Sequence, residues 1–298
     1  MGGRFLRFII FATLTSALAA SARADDDEKL PPGDPFYRLD TKNLFGAMEG
    51  ADVGEAGGRS IELETTAALF KREGRYRAVE QEAIYEITPT AWLGIEFGVH
   101  GLGQSIHGVP DVTAFSGVGL SGLSNEWRYM LIPRGGPWRA QATVTLTPEI
   151  GWTFEGGQHG REYSLPVLFI LDAQPIERWL YAALNLSYAP EVAALENAPV
   201  VRQSTLAASA ALSWRLTPDA MIGGEIDSLN VFDGLAAQIW RGSAFFAGPT
   251  FHYQVNDKVD LSGSWTQQFA GHAHGGGRRF DLANFSRSLA KLRLEIDF

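Results

Sequence analysis

Trp138-Arg139-Ala140-Gln141-Ala142-Thr143-Val144-Thr145-Leu146-Thr147-Pro148-Glu149-Ile150-Gly151-Trp152 changes character at every residue. Its even positions are Trp138, Ala140, Ala142, Val144, Leu146, Pro148 and Ile150; its odd positions are Arg139, Gln141, Thr143, Thr145, Thr147 and Glu149. Side chains of an extended chain point alternately to opposite sides, so a period of two means a strand with one apolar and one polar face. The same alternation opens near Arg59, with Ile61, Leu63 and Leu69 against Glu62, Glu64 and Thr66. It also closes the chain, with Leu292, Leu294, Ile296 and Phe298 against Lys291, Arg293, Glu295 and Asp297.

Outward from these anchors the pattern predicts about twelve strands, near 59–70, 75–87, 91–102, 117–131, 138–152, 163–173, 179–189, 202–216, 220–228, 243–255, 259–269 and 285–298. An even number returns both ends of a closed sheet to one side. The connections sort by parity. Short turns such as Thr88-Pro89-Thr90, Thr217-Pro218-Asp219 and Asn256-Asp257-Lys258 follow even strands. Longer stretches, 103–116, 153–162, 190–201, 229–242 and 270–284, follow all odd ones but the first, whose connection around Glu73-Gly74 is brief. Short turns at one end and long loops at the other mark a barrel that crosses an outer membrane with its turns toward the periplasm. The expected fold is therefore all-β: a closed up-and-down antiparallel transmembrane β-barrel.

Charge placement sets the faces. The sets Val79, Ala83, Tyr85, Ile87 and Leu206, Ala208, Ala210, Leu212, Trp214 carry no mid-strand charge, as lipid contact requires. Trp92, Trp138, Trp179, Trp214 and Tyr253 all fall beside short turns, where an interfacial aromatic belt would sit. The expected lumen-lining residues are Glu62, Glu64, Glu80, Glu82, Glu96, Glu126, Arg128, Arg139, Glu149, Arg215, Glu225, Asp227, His252, Lys291, Arg293 and Glu295. Barrel closure would set Glu62 and Glu64 on the first strand opposite Lys291 and Arg293 on the last. Such an interior reads either as a salt-bridge network that fills the lumen or as an acidic path for cations.

Three segments follow. Residues 1–24 read as a signal peptide: Arg4 and Arg7, an apolar run from Phe8 to Ala20, and an Ala22-Arg23-Ala24 cleavage site. Residues 25–58 read as a mostly irregular periplasmic leader, acidic and then rich in Pro and Gly, with enough apolar residues between Phe36 and Met48 to dock in the barrel mouth. Residues 59–298 form the barrel. The formal charge is -9, and cleavage after Ala24 removes three arginines to leave about -12. That balance argues against nucleic acid as a partner. The 298 residues include no cysteine, which excludes disulfides and thiolate metal sites.

Other chemistry is thin. His272-Ala273-His274 lies in a Gly-rich stretch without a fixed third ligand, so no metal or other cofactor is expected. None of His100, His107, His159, His252, His272 and His274 has a serine two residues on, the spacing carried by outer-membrane lipid hydrolases, so an enzyme is disfavoured.

The stretch from Gly223-Gly224-Glu225 through Phe245-Phe246-Ala247-Gly248-Pro249-Thr250-Phe251-His252-Tyr253 to Leu292-Arg293-Leu294-Glu295-Ile296-Asp297-Phe298 resembles the outer-membrane family labelled for the MetA pathway of phenol degradation. The resemblance implies passage of small compounds and transfers no catalytic residue. The terminal Phe298 resembles the assembly signal of outer-membrane barrels. The functional expectation is a passive channel for small solutes in the outer membrane of a Gram-negative bacterium, with a slightly acidic lumen. Its partners would be outer-membrane lipid and the export and barrel-assembly machinery. The alternatives are a closed structural or anchoring barrel and a lipid-modifying enzyme.

Overall fold

A computed structural model describes residues 40–71, 74–110, 112–153, 155–157, 159–196, 199–276 and 279–298. The proposed signal peptide and the first part of the leader lie outside the described residues. The strands are β1 (Arg59–Leu69), β2 (Arg75–Thr90), β3 (Leu93–His107), β4 (Phe115–Gly135), β5 (Ala140–Leu146), β6 (Glu149–Thr153), β7 (His159–Ser164), β8 (Val167–Ile176), β9 (Leu180–Leu195), β10 (Val201–Arg215), β11 (Ala220–Asp233), β12 (Ile239–Asn256), β13 (Val259–Ala273) and β14 (Ser288–Asp297). No α-helix occurs among the described residues.

These segments form one antiparallel sheet that closes on itself. β1 pairs with β14 from Ser60↔Asp297 to Leu69↔Ser288, and with β2 on its other side. β5 and β6 are halves of one wall strand broken at Thr147-Pro148, and both pair with β4. β7 and β8 are likewise halves of one strand, broken at Leu165-Pro166, and both pair with β9. The barrel therefore has twelve spanning strands. Proline cannot donate to a ladder, and at these breaks it accepts instead. The N–H of Asn125 donates to the Pro148 carbonyl at 3.1 Å, and that of Thr147 to the Pro166 carbonyl at 3.0 Å.

The two ends differ. On one side the connections are 91–92, 136–139, 177–179, 216–219 and 257–258; on the other they are 70–74, 108–114, 154–158, 196–200, 234–238 and 274–287. Most of the expected long loops are shorter than the sequence suggested, because the strands run further. β12 has 18 residues and β4 has 21, whereas about 9–11 residues suffice to cross a bilayer at a tilt. The alternating pattern weakens toward the strand ends, so the sequence reading stopped β3, β4, β9, β11, β12 and β13 too early.

The outer wall is apolar. Phe97, Leu186, Leu212, Ile226 and Leu292 are all exposed. The exposed strand arginines sit at strand ends, Arg75, Arg77, Arg161 and Arg202 toward the long loops and Arg59 toward the short turns. Trp138, Trp179, Trp214 and Tyr253 point outward beside short turns, while Trp92 packs edge-on against Tyr129 at 4.9 Å.

Candidate functional site

The interior is built from the alternate side chains of the same strands. Inward positions carry Glu62, Glu64, Glu82, Glu86, Glu96, Glu126, Arg128, Arg215, Glu225, His252, Lys291 and Arg293, all buried. Register sets some of the carboxylates side by side. Glu86 lies opposite Glu96 on the neighbouring strand, and Glu96 opposite Glu126 on the next. Like charges so placed repel and need cations between them.

Part of that compensation comes from the chain's own N-terminal segment. Residues 41–53 lie inside the barrel at the short-turn end, so this part of the irregular leader docks in the barrel mouth, as the apolar residues between Phe36 and Met48 allowed. Thr41, Lys42, Asn43, Leu44, Phe45, Met48, Glu49, Ala51 and Asp52 are all buried. Lys42 Nζ is paired with Glu86, and lies 2.7 Å from Glu96 and 3.9 Å from Glu62. Burial alone would push this ammonium's pKa down, but Glu86, Glu96, Glu295 and Glu62 hold it well above the ordinary lysine value. Asn43 donates to Glu62 at 2.9 Å and to Glu295 at 2.6 Å. Glu49 pairs with Arg128, which also reaches Glu126 at 3.4 Å and donates to the Gly50 carbonyl at 3.1 Å. The Ala47 N–H donates to Glu225 at 3.0 Å.

The segment also carries an apolar knob. Leu44, Phe45 and Met48 pack on Tyr181, Ala183, Ala211 and Met221, which are inward-facing residues of β9, β10 and β11. Phe45 and Met48 bridge across a tight turn at Gly46, whose φ is +76°. A Cβ there would meet Thr250 Cγ2 at 2.7 Å and Ser264 Cβ at 2.9 Å, so this turn needs glycine.

A second network lies across the closing seam. Arg293 binds Glu62 at 2.8 Å and Glu64 at 3.1 Å, and Lys291 binds Glu64 at 2.6 Å. Glu80 and Glu82 flank His100 at 3.4 and 3.2 Å. Glu149 accepts from Ser164 at 2.6 Å, and His252 Nε2 lies 3.4 Å from Asp260.

One expected lumen residue lies elsewhere. Arg139 sits in the turn between β4 and β5 with φ +46°, and its partly exposed side chain pairs with Glu177 at 2.8 Å. The lumen arginine at this level is Arg134, which binds Asp172 at 2.6 Å and Asp52 at 3.2 Å. Register shifts in the β4–β5 pairing, between Met130 and Ile132 and between Ile132 and Gly135, break the simple alternation there. Sequence reading also missed Lys42 and Glu49, which belong to no periodic element.

Above the N-terminal segment is a small chamber, partly open to the rest of the lumen. Its floor is Ala47 and Met48, and its wall includes Asn185, Ser209, Asp227, Phe246 and Lys291. Toward the long-loop end, Phe285 from the connection 274–287 packs edge-on against Phe246 at 6.4 Å. In the same region His272 stacks on Trp240 at 5.6 Å.

Among solved structures, the chain resembles the COG4313 outer membrane channel from Pseudomonas putida F1, with TM-score 0.54 and 11% identity over 91% of this chain and 100% of that one. It also matches the NanC porin, with TM-score 0.47 and 8% identity over 79% of this chain and 98% of that one. A third match is the KdgM porin in complex with disordered oligogalacturonate, with TM-score 0.43 and 10% identity over 80% of this chain and 99% of that one. At such identities the first of these speaks for the fold alone. No curated protein sequence matches significantly. The family match falls on a different family from the MetA-pathway one that the last quarter of the sequence resembles. Residues 38–298 match the family of unknown function DUF6662, and the chain belongs to that family.

Proposed function

We propose that the protein is a passive outer-membrane channel for small solutes, held closed at its periplasmic end by its own N-terminal segment. The observation that carries this reading is the charged inner face: a lipid-spanning wall has no use for buried carboxylates unless water, ions or a polar insert occupies the space they face. The short-turn end faces the periplasm by the rule for outer-membrane barrels. Export through a signal peptide cleaved near Ala24, and insertion by the barrel-assembly machinery acting on β14 and Phe298, bring the chain there.

Solute preference follows from which carboxylates lack a cation. Glu62 and Glu64 are neutralised by Arg293 and Lys291, so they contribute little to an acidic path. Glu162, Glu191, Glu225 and Asp227 have no cationic partner among the described residues, and they favour cations. Reconstitution in planar bilayers under a potassium chloride gradient tests this. The expectation is a conductance whose reversal potential shows cation preference and moves toward zero in a Glu162→Gln, Glu191→Gln, Asp227→Asn variant. Anion preference would refute the acidic path.

A second reading is favoured by the packed network itself: a closed barrel serving as anchor or structural element. It requires that no conductance appear even after the N-terminal segment is loosened.

A further inference from the structure

The chamber above the N-terminal segment holds a polar side chain that the protein itself leaves unsatisfied. Asn185 on β9 is 98% buried by its 2% relative exposure, and neither its Oδ1 nor its Nδ2 has a hydrogen-bond partner. A buried amide without partners costs on the order of 1–3 kcal/mol, so it is ordinarily satisfied by protein, water or ligand. Asn185 lines the chamber.

Its neighbours form a row. Asn185 lies opposite Ser209, Ser209 opposite Asp227, and Asp227 opposite Phe246, on four consecutive wall strands. Neighbouring strands lie about 4.8 Å apart, so Asn185 and Asp227 are about 10 Å apart across Ser209. A small ligand spans that distance. Asp227 has no cationic partner among the described residues, whereas Lys291, the cation in the lining, is held by Glu64 at 2.6 Å. The acidic end of the row is therefore uncompensated. Beside it the chamber is apolar, through Phe246, Met48 and Leu229.

We propose that this chamber is a binding site for small organic ammonium ions that carry an apolar or aromatic body. The ammonium has three donors and no acceptor. Asp227 and Ser209 Oγ accept from the ammonium, Asn185 lies at the far end of the row for a second polar group of the solute, and the body lies against Phe246 and Met48. A ring against Phe246 adds an aromatic contact, and the floor provided by Ala47 and Met48 stops the solute at this depth. Docking of the N-terminal segment would thus complete the site as well as close the passage. This inference rests on the channel reading for the route by which the solute arrives, but not for the site itself.

The test uses the full chain purified in detergent and titrated calorimetrically with benzylammonium, with benzyl alcohol and benzoate as neutral and anionic counterparts of the same shape. The expectation is saturable binding of benzylammonium, at least tenfold weaker binding of benzyl alcohol, and no binding of benzoate. Asp227→Asn should weaken benzylammonium binding by at least about tenfold, the loss expected for one hydrogen bond to a charged group. Benzylammonium carrying a para-hydroxymethyl group should bind more tightly than benzylammonium itself, and Asn185→Leu, which removes both polar atoms of the amide, should abolish that gain. Heat-dependent gel mobility checks that each variant is a folded barrel. Should folded wild-type protein bind the three probes equally, prefer benzoate or bind none, the proposal is overturned. Binding unchanged by Asp227→Asn overturns it too. Bilayer conductance separates the two claims: conductance without amine binding removes this site and leaves the channel, and amine binding without conductance does the reverse.

Discussion

Replacing Lys42 with methionine keeps the length of the side chain and removes its charge. In the closed state its ammonium joins Glu86 to Glu96, two carboxylates set directly opposite each other on β2 and β3. All three side chains are buried. Taking away one partner of a buried ion pair costs about 3–5 kcal/mol, because the remaining charge stays buried and unpaired. Release of the segment lets water reach the two glutamates, so the cost falls on the docked state alone. At about 1.4 kcal/mol per factor of ten, the ratio of docked to released segment should fall by about two to three and a half orders of magnitude. The assay is single-channel recording of the Lys42→Met protein beside wild type, in the same lipid and salt. Longer open times or a larger conductance are expected. A triple variant that also carries Glu86→Gln and Glu96→Gln should recover much of the closure, because the two carboxylates that Lys42 joined are then neutral too. If Lys42→Met, shown to be folded, conducts as wild type does, the ion pairs do not hold the segment and the argument fails.

Gly46→Ala should also loosen the segment, since φ is +76° and the added methyl would collide with Thr250 and Ser264; conductance should rise while the urea midpoint of the barrel stays unchanged. Glu62→Gln with Glu64→Gln should act on stability and on charge balance together, because Arg293 and Lys291 lose their partners; a loss of about 3–5 kcal/mol is expected in urea unfolding in lipid vesicles, with the reversal potential moving toward zero as two lumen cations are left uncompensated. Leu184→Arg puts a cation on the lipid face at a position 38% exposed and should cost about 2–4 kcal/mol if it lies near the midplane, read by the same unfolding assay; an unchanged midpoint would mean that this face does not meet hydrocarbon.

The wall was legible in the sequence because each strand faces two solvents. Ile61, Leu63 and their like alternate with Glu62 and Glu64 for as long as lipid lies on one side and polar space on the other. Where that contrast ends, the reading ended too: the outer parts of β4, β9 and β12 stand beyond the membrane and were taken for loops. Arg139 was misplaced because register shifts interrupt the period just before it, at the end of β4. The inserted segment was hard to read for a different reason. Residues 41–53 are surrounded by the barrel interior, so apolar Phe45 and charged Lys42 are buried alike and no period arises. Two signals pointed toward it. One was the apolar group Leu44, Phe45 and Met48 in an otherwise Pro- and Gly-rich stretch. The other was Tyr181, Ala183, Ala211 and Met221 on a face that should have been polar.

The segment leads directly into β1 through residues 54–58, so the stopper is tied to the rim it closes. A tether this short keeps a released end near its seat at an effective concentration of about millimolar. Re-entry is then a local event that depends on neither protein abundance nor a second molecule. The mouth can reseal after each passage, and even a seat weakened many-fold would be revisited often. Leakage through the wall would be set by how briefly the tail strays, and not by how tightly it grips.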